Sequence, residues 1–459
     1  MERLMEWVLE VNGVVNDLVW GWPLLILIVG TGGLLTIRTR FISFTKFGYM
    51  LKQTFLKMFS KSQVGEGEVT AFQAVSTALA ATVGTGNIAG VGTAIAIGGP
   101  GAVFWMWIAA LFGMATKYGE VVLAIQYRER TEDGRFVGGP MYYLEKGANM
   151  RWLAVLFAIF GAAATFGIGN MVQSNSVADS LNATFGIQPW ITGIVLAVLV
   201  ALVIVGGIKK IGKVTEIVVP FMAAIYIIGG LIIIIANIQL VPQAFGVIFR
   251  DAFTGSAAAG GFVGSTLTLS IRYGVARGVF TNEAGLGSAP IAHAAATTDH
   301  PVRQGLWGIF EVFADTIVLC TITALVIVMT GAVDTGLDGA ALTTSAFNEG
   351  IAYGGYIVTF GLVFFAISTL LGWSYYGERC MEFLFGPKSI VFYRMLFILL
   401  IVVGAIGGLR AVWALADTLN GLMALPNLIG LLILSPVIVR QTKDFFGKDG
   451  IYNSERKNS

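Results

Sequence analysis

The stretch 79-LAATVGTGNIAGVGTAI-95 departs from the pattern of a buried helix. It is apolar at both ends, yet it carries four glycines and a polar Thr85-Gly86-Asn87 at its centre. A continuous helix gains nothing from this. Each glycine costs about 0.5–1 kcal/mol relative to alanine, and polar groups in hydrocarbon cost more unless they are partnered.

The rest of the chain says that the medium is hydrocarbon. Of 459 residues, 56% are hydrophobic and 12% charged, against about 25% charged in soluble domains. Apolar runs such as 191-ITGIVLAVLVALVIVGG-207 and 223-AAIYIIGGLIIIIANI-238 recur, and about 20 apolar residues span a bilayer as a helix. They do not alternate as barrel strands do. The chain reads as an all-α polytopic membrane protein with the lipid bilayer as a partner. A net charge of +2 points to no nucleic acid. Cys320 and Cys380 fall in or beside apolar spans, which suits free thiols. The N-terminal 20 residues lack the basic start and cleavage site of a signal peptide, so the first span reads as retained.

About eleven spans are expected, at roughly 18–37, 70–97, 101–127, 153–183, 188–207, 214–238, 255–279, 304–331, 352–384, 390–409 and 411–440. The basic amphipathic stretch 46–61 reads as lying on the membrane surface. Loops rich in Lys and Arg face the cytoplasm. They are 128–135, 209–213, Arg272 with Arg277, 378–388 and the tail from Arg440. That puts the N-terminus outside and the C-terminus inside a cell (plasma) membrane. The expected organisation is one transmembrane domain over 1–445. It has an extra N-terminal helix at 15–40, a first repeat at 70–238 and a second at 253–440, followed by a disordered cytoplasmic tail at 446–459.

Secondary transporters often bind substrate at discontinuous helices near the midplane. Half-helix N–H groups face an anionic substrate group and unwound carbonyls face a cation. The 84-GTGN-87 segment sits mid-span. Thr85 and Gly86 offer N–H groups to a carboxylate, and Thr82 and Asn87 offer oxygens to a hard cation. The competing reading is tight helix packing, since Gly86, Gly90 and Ala94 fit small-xxx-small spacing. Packing leaves Asn87 unexplained. A second glycine-rich interruption, 255-GSAAAGGFVGSTLTLS-270, lies half a protein later. With the first span set aside, the breaks fall in the first and sixth of ten spans, as inverted repeats around a midplane site require.

The stretch 98-GGPGAVFWMWIAALFG-113 resembles the signature of the sodium:alanine (alanine or glycine:cation) symporter family, and 84-GTGNIAGV-91 and 281-TNEAGLGSAP-290 are similar to that family too. The resemblance covers roughly 15–445. It implies Na⁺-coupled uptake of alanine or glycine, with Na⁺ as a co-transported ion and not a catalytic cofactor. It also implies the five-plus-five inverted-repeat fold of the bacterial neurotransmitter:sodium symporters, with discontinuous first and sixth core helices. By that resemblance the Thr82 carbonyl and the Asn87 side chain touch the sodium beside the substrate. The carbonyls of Ala80 and Val83 touch a second, with Ser368 and Thr369 supplying the hydroxyls of the eighth core helix. Thr85 and Gly86 hold the substrate carboxylate. No hydroxyl from the sixth helix is assigned.

Other polar residues in apolar surroundings divide between site and structure. Phe166 and Asn170 share a helix face, as a pocket wall with an amide or as an interhelical hydrogen bond. Gln73 and Gln173 read the same way. Trp373, one turn after Thr369, either caps a small side-chain pocket or packs. Glu311 and Asp315 are either a proton relay or are paired with Arg272, Arg277 or Lys117. His293 and His300 fall in the stretch 281–303, read as a cytoplasmic loop with solvated histidines and, through its glycines, Asn282 and Glu283, as an inner gate.

The sequence shows no metal-ligand spacing, no Walker loop and no nucleophile motif, so it reads as a carrier and not as an enzyme. The expected function is sodium-coupled symport of alanine or glycine, with rocking of the bundle that holds 79–95. The alternatives are a proton-coupled carrier using Glu311 and Asp315, or a channel.

Overall fold

The computed structural model describes the backbone of residues 2–58, 65–254, 263–407 and 410–457. Almost all of it is helical. Among the described residues, eight helices are long and apolar enough to cross a membrane. A bent pair, Ala71–Thr82 with Gly86–Gly98, makes a ninth. Pro189–Ile204 is a shorter apolar helix. The expected span 255–279 begins in residues outside those described; its described part is the helix Val263–Asn282.

The outer surface confirms the solvent. Ile194, Val198 and Leu202 are exposed on one helix, and Val391, Met395, Leu399 and Val403 on another. Spacing of four places each set in a stripe along one helix face. Stripes this apolar are stable facing lipid and not water.

The helix Ala102–Gln126 is the centre of the bundle. It packs against Val263–Asn282, Pro301–Val312 and Trp22–Arg38. Small residues allow the approach: a Cβ on Gly274 would lie 2.3 Å from the Ala102 carbonyl oxygen. The first helices, Glu2–Val19 and Trp22–Arg38, pack against Arg410–Phe446.

The structure corrects three expectations, and a fourth falls partly outside the described residues. The second break does not show itself in 263–270, which is continuous helix; 255–262 lie outside the described residues. Irregular backbone comes later, where Glu283, Gly285 and Gly287 have φ of 55°, 96° and 84°. The stretch 281–303 is accordingly not a solvated loop, because residues 281–296 are buried. Its glycines and polar residues imitate a surface loop, but the bundle itself supplies their hydrogen bonds. His293 is fully buried with them.

Arg272 does not share a face with the other basic loops. It pairs with Asp17 at 2.7 Å, beside the start of the 22–38 helix, whereas Arg38 ends that helix about 25 Å away at about 1.5 Å per residue. The late break explains this, because it shifts the span boundary along the chain. The tail is not disordered either: Ile451–Lys457 is a helix. It is docked by Glu455, which pairs with Arg303 at 2.8 Å and accepts from the Tyr49 hydroxyl at 2.9 Å. Tyr452 packs edge-on to Tyr49, which gives the polar tail an aromatic anchor.

Gly274→Ala is expected to destabilise by about 1–3 kcal/mol through overpacking, read as a lower unfolding midpoint of the purified protein in detergent. Gly30→Ala, with nothing within 4 Å of the added carbon, is the control and should leave the midpoint unchanged or slightly raised.

Candidate functional site

The helix entering the site is set by a capping box: Thr70 accepts from the Gln73 N–H at 2.9 Å, and Gln73 accepts from the Thr70 N–H at 3.1 Å. Gln73 is thereby a cap and not a pocket residue. The helix ends at Val83, whose ψ of 94° is extended. A single wide turn, Gly86–Gly90, restarts it, and the two halves are bent by 49°.

Breaking a helix frees backbone groups that hydrocarbon cannot satisfy. Here side chains take them. Asn87 Oδ1 accepts from the Gly84 N–H at 2.9 Å. Thr323 donates to the Asn87 carbonyl and Thr343 to the Ile88 carbonyl, each at 2.9 Å. The glycines serve the break as well as packing. A Cβ on Gly84 would lie 2.7 Å from Thr369 Oγ1, and one on Gly86 would lie 3.0 Å from the Thr281 Cβ. Thus 84-GTGN-87 admits one hydroxyl from each of two other spans.

These segments enclose a small cavity of ≈ 20 Å³ lined by Thr82, Gly84, Thr85, Gly86, Thr369 and Trp373 from the sequence reading, room for little more than one water. Its remaining walls include Ile168, Gln173, Phe280, Thr281, Glu283 and Asn420. The sequence reading did not place Thr281 and Glu283 at this cavity, because their segment reads as a loop. The signal was there: 281-TNEAGLGSAP-290 mixes glycines with polar residues as 84-GTGN-87 does. Gln173 Oε1 and Asn420 Oδ1 are buried without a protein partner. Glu283 accepts from the Ser288 hydroxyl and lines the cavity together with the Trp373 indole. Gly169 makes room for that indole, since its Cβ would lie 2.3 Å from the Trp373 Cβ.

Two oxygen clusters flank the cavity. In the first, Asp315 Oδ1 accepts from Asn87 Nδ2 at 2.7 Å and from the Thr281 hydroxyl at 3.2 Å, while Oδ2 accepts from Thr316 at 2.8 Å. In the second, Ser368 and Thr369 both donate to the Phe365 carbonyl at 2.8 Å, close to the end of the 71–82 helix where Ala80 and Val83 are buried. Phe166 and Asn170 face elsewhere. Phe166 packs on Tyr393, and Asn170 Nδ2 donates to the Phe397 carbonyl at 2.7 Å, the interhelical role.

Behind the second unwound segment lies a buried charge layer. Lys117 Nζ is 3.3 Å from Glu311 Oε1, whose Oε2 is 3.1 Å from His293 Nε2. Gln304 Nε2 is 2.8 Å from His293 Nδ1, so Nδ1 accepts and Nε2 is the donor toward Glu311. Glu120 accepts from the Gly285 N–H at 3.0 Å and from Asn427 at 2.5 Å. Of the two acids that read as a possible proton relay, Glu311 is ion-paired with Lys117 and Asp315 belongs to the site. Among the described residues, no group of three His, Cys, Asp or Glu side chains could hold a metal ion.

A family model described as the sodium:alanine symporter family matches residues 5–458. The sodium/alanine symporter AgcS of Methanococcus maripaludis is 54% identical over 99% of this chain and 100% of its own. The probable sodium/glutamine symporter GlnT of Bacillus subtilis is 39% identical over 98% and 94% respectively. Among solved structures, that of MhsT in complex with L-phenylalanine superposes with a TM-score of 0.57. The match covers 82% of this chain and 98% of that one, at 13% identity, and so shows a shared fold.

Lys117→Ala leaves Glu311 buried without its cation, and the expected cost is about 3–5 kcal/mol, measured as loss of folded protein in a detergent thermal-unfolding assay. Pairing it with Glu311→Ala should restore part of that loss.

Proposed function

The chain belongs to the sodium:alanine symporter family, a family of multi-pass membrane transporters and not of enzymes, and on that premise we propose that it imports a small neutral amino acid, alanine or glycine first, with sodium. The observation that carries this reading is the meeting of two unwound segments, 84–87 and 283–287, across one buried cavity with an oxygen cluster on each side. Such backbone is tolerated at membrane depth only where it is buried in protein or lines a cavity.

In this reading the N–H groups of Thr85 and Gly86, at the start of the second half-helix where no intrahelical acceptor precedes them, hold the substrate carboxylate. Glu283, the acid lining the cavity, receives the ammonium. Trp373, Phe280 and Ile168 limit the side chain to a small one. One sodium takes the Thr82 carbonyl, Asn87, Thr281 and Asp315; Thr281 is the sixth-helix hydroxyl that the sequence reading left unassigned. The other takes the carbonyls of Ala80, Val83 and Phe365 with Ser368 and Thr369. The first sodium and the substrate carboxylate neutralise each other, so each raises the affinity for the other by the same factor.

The cavity is too small for substrate to enter without its walls parting. Alternating access supplies that motion, with the bundle holding 71–98 rocking against its scaffold. The face carrying Arg38, 128–135, 209–213, 378–388 and Arg440 is the cytoplasmic one. The N-terminal helix end and Arg272 then lie outside.

Labelled alanine should accumulate in liposomes containing the purified protein only with an inward Na⁺ gradient at fixed pH; equal movement without it would falsify sodium coupling. Thr281→Val and Thr369→Val should each raise the half-saturating sodium concentration about tenfold, and unchanged sodium dependence would remove that residue from the ligand set. Glu283→Gln should raise KM for alanine about tenfold. An unaltered KM would assign the ammonium to other groups.

A further inference from the structure

Two basic stretches far apart in sequence meet at one end of the bundle. Arg38 and Arg40 close the 22–38 helix, and Arg440 and Lys443 lie in the last turns of the 410–446 helix. With Lys46 they line one groove, whose two halves share Arg38, Val439 and Lys443. Its wall is a sharp turn in which Arg40 and Phe41 are both left-handed, at φ 57°, a conformation that L residues rarely adopt in succession. The turn is held by the Phe41 N–H on the Thr36 carbonyl at 2.7 Å. It leaves Phe41 and Phe44 about half exposed.

The cations of this groove differ from others on the same face. Arg135 pairs with Glu382, Arg379 and Arg394 with Glu378, and Arg303 with Glu455. Among the described residues, Arg38, Arg40, Arg440 and Lys443 are in no ion pair. Arg38 donates to the Ser435 hydroxyl, and Lys46 lies over the Phe446 and Tyr452 rings. Asp444 is the one acid among the lining residues. The fold thus gathers five like charges against one, and they repel unless an anion joins them. Ile37 and Ile433, which precede Arg38 and Arg440 on the same two helices, are exposed apolar residues.

We propose that this groove binds the phosphate headgroup of an anionic phospholipid, which ties the extra N-terminal helix to the last span. Basic pockets between membrane helices suit such headgroups, and the anionic leaflet concentrates them there. The acyl chains run along Ile37 and Ile433. The lipid cancels the repulsion between the two helix ends, and so it stabilises the folded protein by mass action.

The test is the unfolding midpoint of the full-length protein in a neutral detergent, with added phosphatidylglycerol, phosphatidylcholine or inorganic phosphate. Phosphatidylglycerol should raise the midpoint by a few degrees, phosphatidylcholine should not, and high KCl should shrink the rise. Arg40→Gln with Lys443→Gln should lose at least half of it; should that variant fail to fold, the three wild-type arms and the salt dependence decide. Equal midpoints with both lipids overturn the proposal. A rise with inorganic phosphate as large as with phosphatidylglycerol overturns the lipid assignment and makes the groove a free-phosphate site.

Discussion

A backbone N–H or carbonyl inside a bilayer has no water to turn to, so a helix can be interrupted there only where other parts of the protein take over its hydrogen bonds. Everything distinctive in this structure follows from that constraint. At the first interruption Asn87 folds back onto Gly84, and Thr323 and Thr343 cover the next two carbonyls. At the second, Asn282 accepts from the Ala284 N–H, Glu120 from the Gly285 N–H, and Asn427 donates to the Gly285 carbonyl. Both breaks are therefore properties of the assembled bundle.

The same constraint explains why charge lies so deep. Glu120 serves the backbone directly, and Lys117 answers the acids around it through Glu311. Asp315 gathers Asn87, Thr281 and Thr316 onto one carboxylate. Such groups are expensive in hydrocarbon and persist where they are paired or do work. Here they do both: the layer that supports the second unwound segment adjoins the one that faces the cavity. In the proposed cycle, cation and substrate complete this arrangement, which couples their binding without any moving part between the two sites.

Glycines open several of the places where the helices approach most closely. Gly84 and Gly86 let Thr369 and Thr281 reach the break, Gly169 seats Trp373, and Gly274 lets the 263–282 helix lie against Ala102. Small-residue packing and helix interruption are thus not rivals in 79–95. Gly92, whose Cβ would lie 2.2 Å from the Gly339 carbonyl, serves packing, while Gly84 serves the site.

Membrane class and the interruption at 84–87 were legible in the chain alone, because each is a local signal: apolar run length, and glycines beside an amide; the hydroxyl pair Ser368-Thr369 was singled out only by the family resemblance. Partners brought from distant spans were not legible in the chain. Asn170 could face a pocket or a neighbouring helix, and only packing turned it to Phe397. The stretch 281–296 has the composition of a surface loop, and burial of its backbone against Glu120 and Asn427 made it the second half of the site. Arg272 followed that error to the wrong face. The tail looked solvated until Glu455 met Arg303 and Tyr49. Periodicity and composition report what a segment does to its own backbone; which charge answers which, and which glycine receives which hydroxyl, is set by contacts between residues hundreds of positions apart.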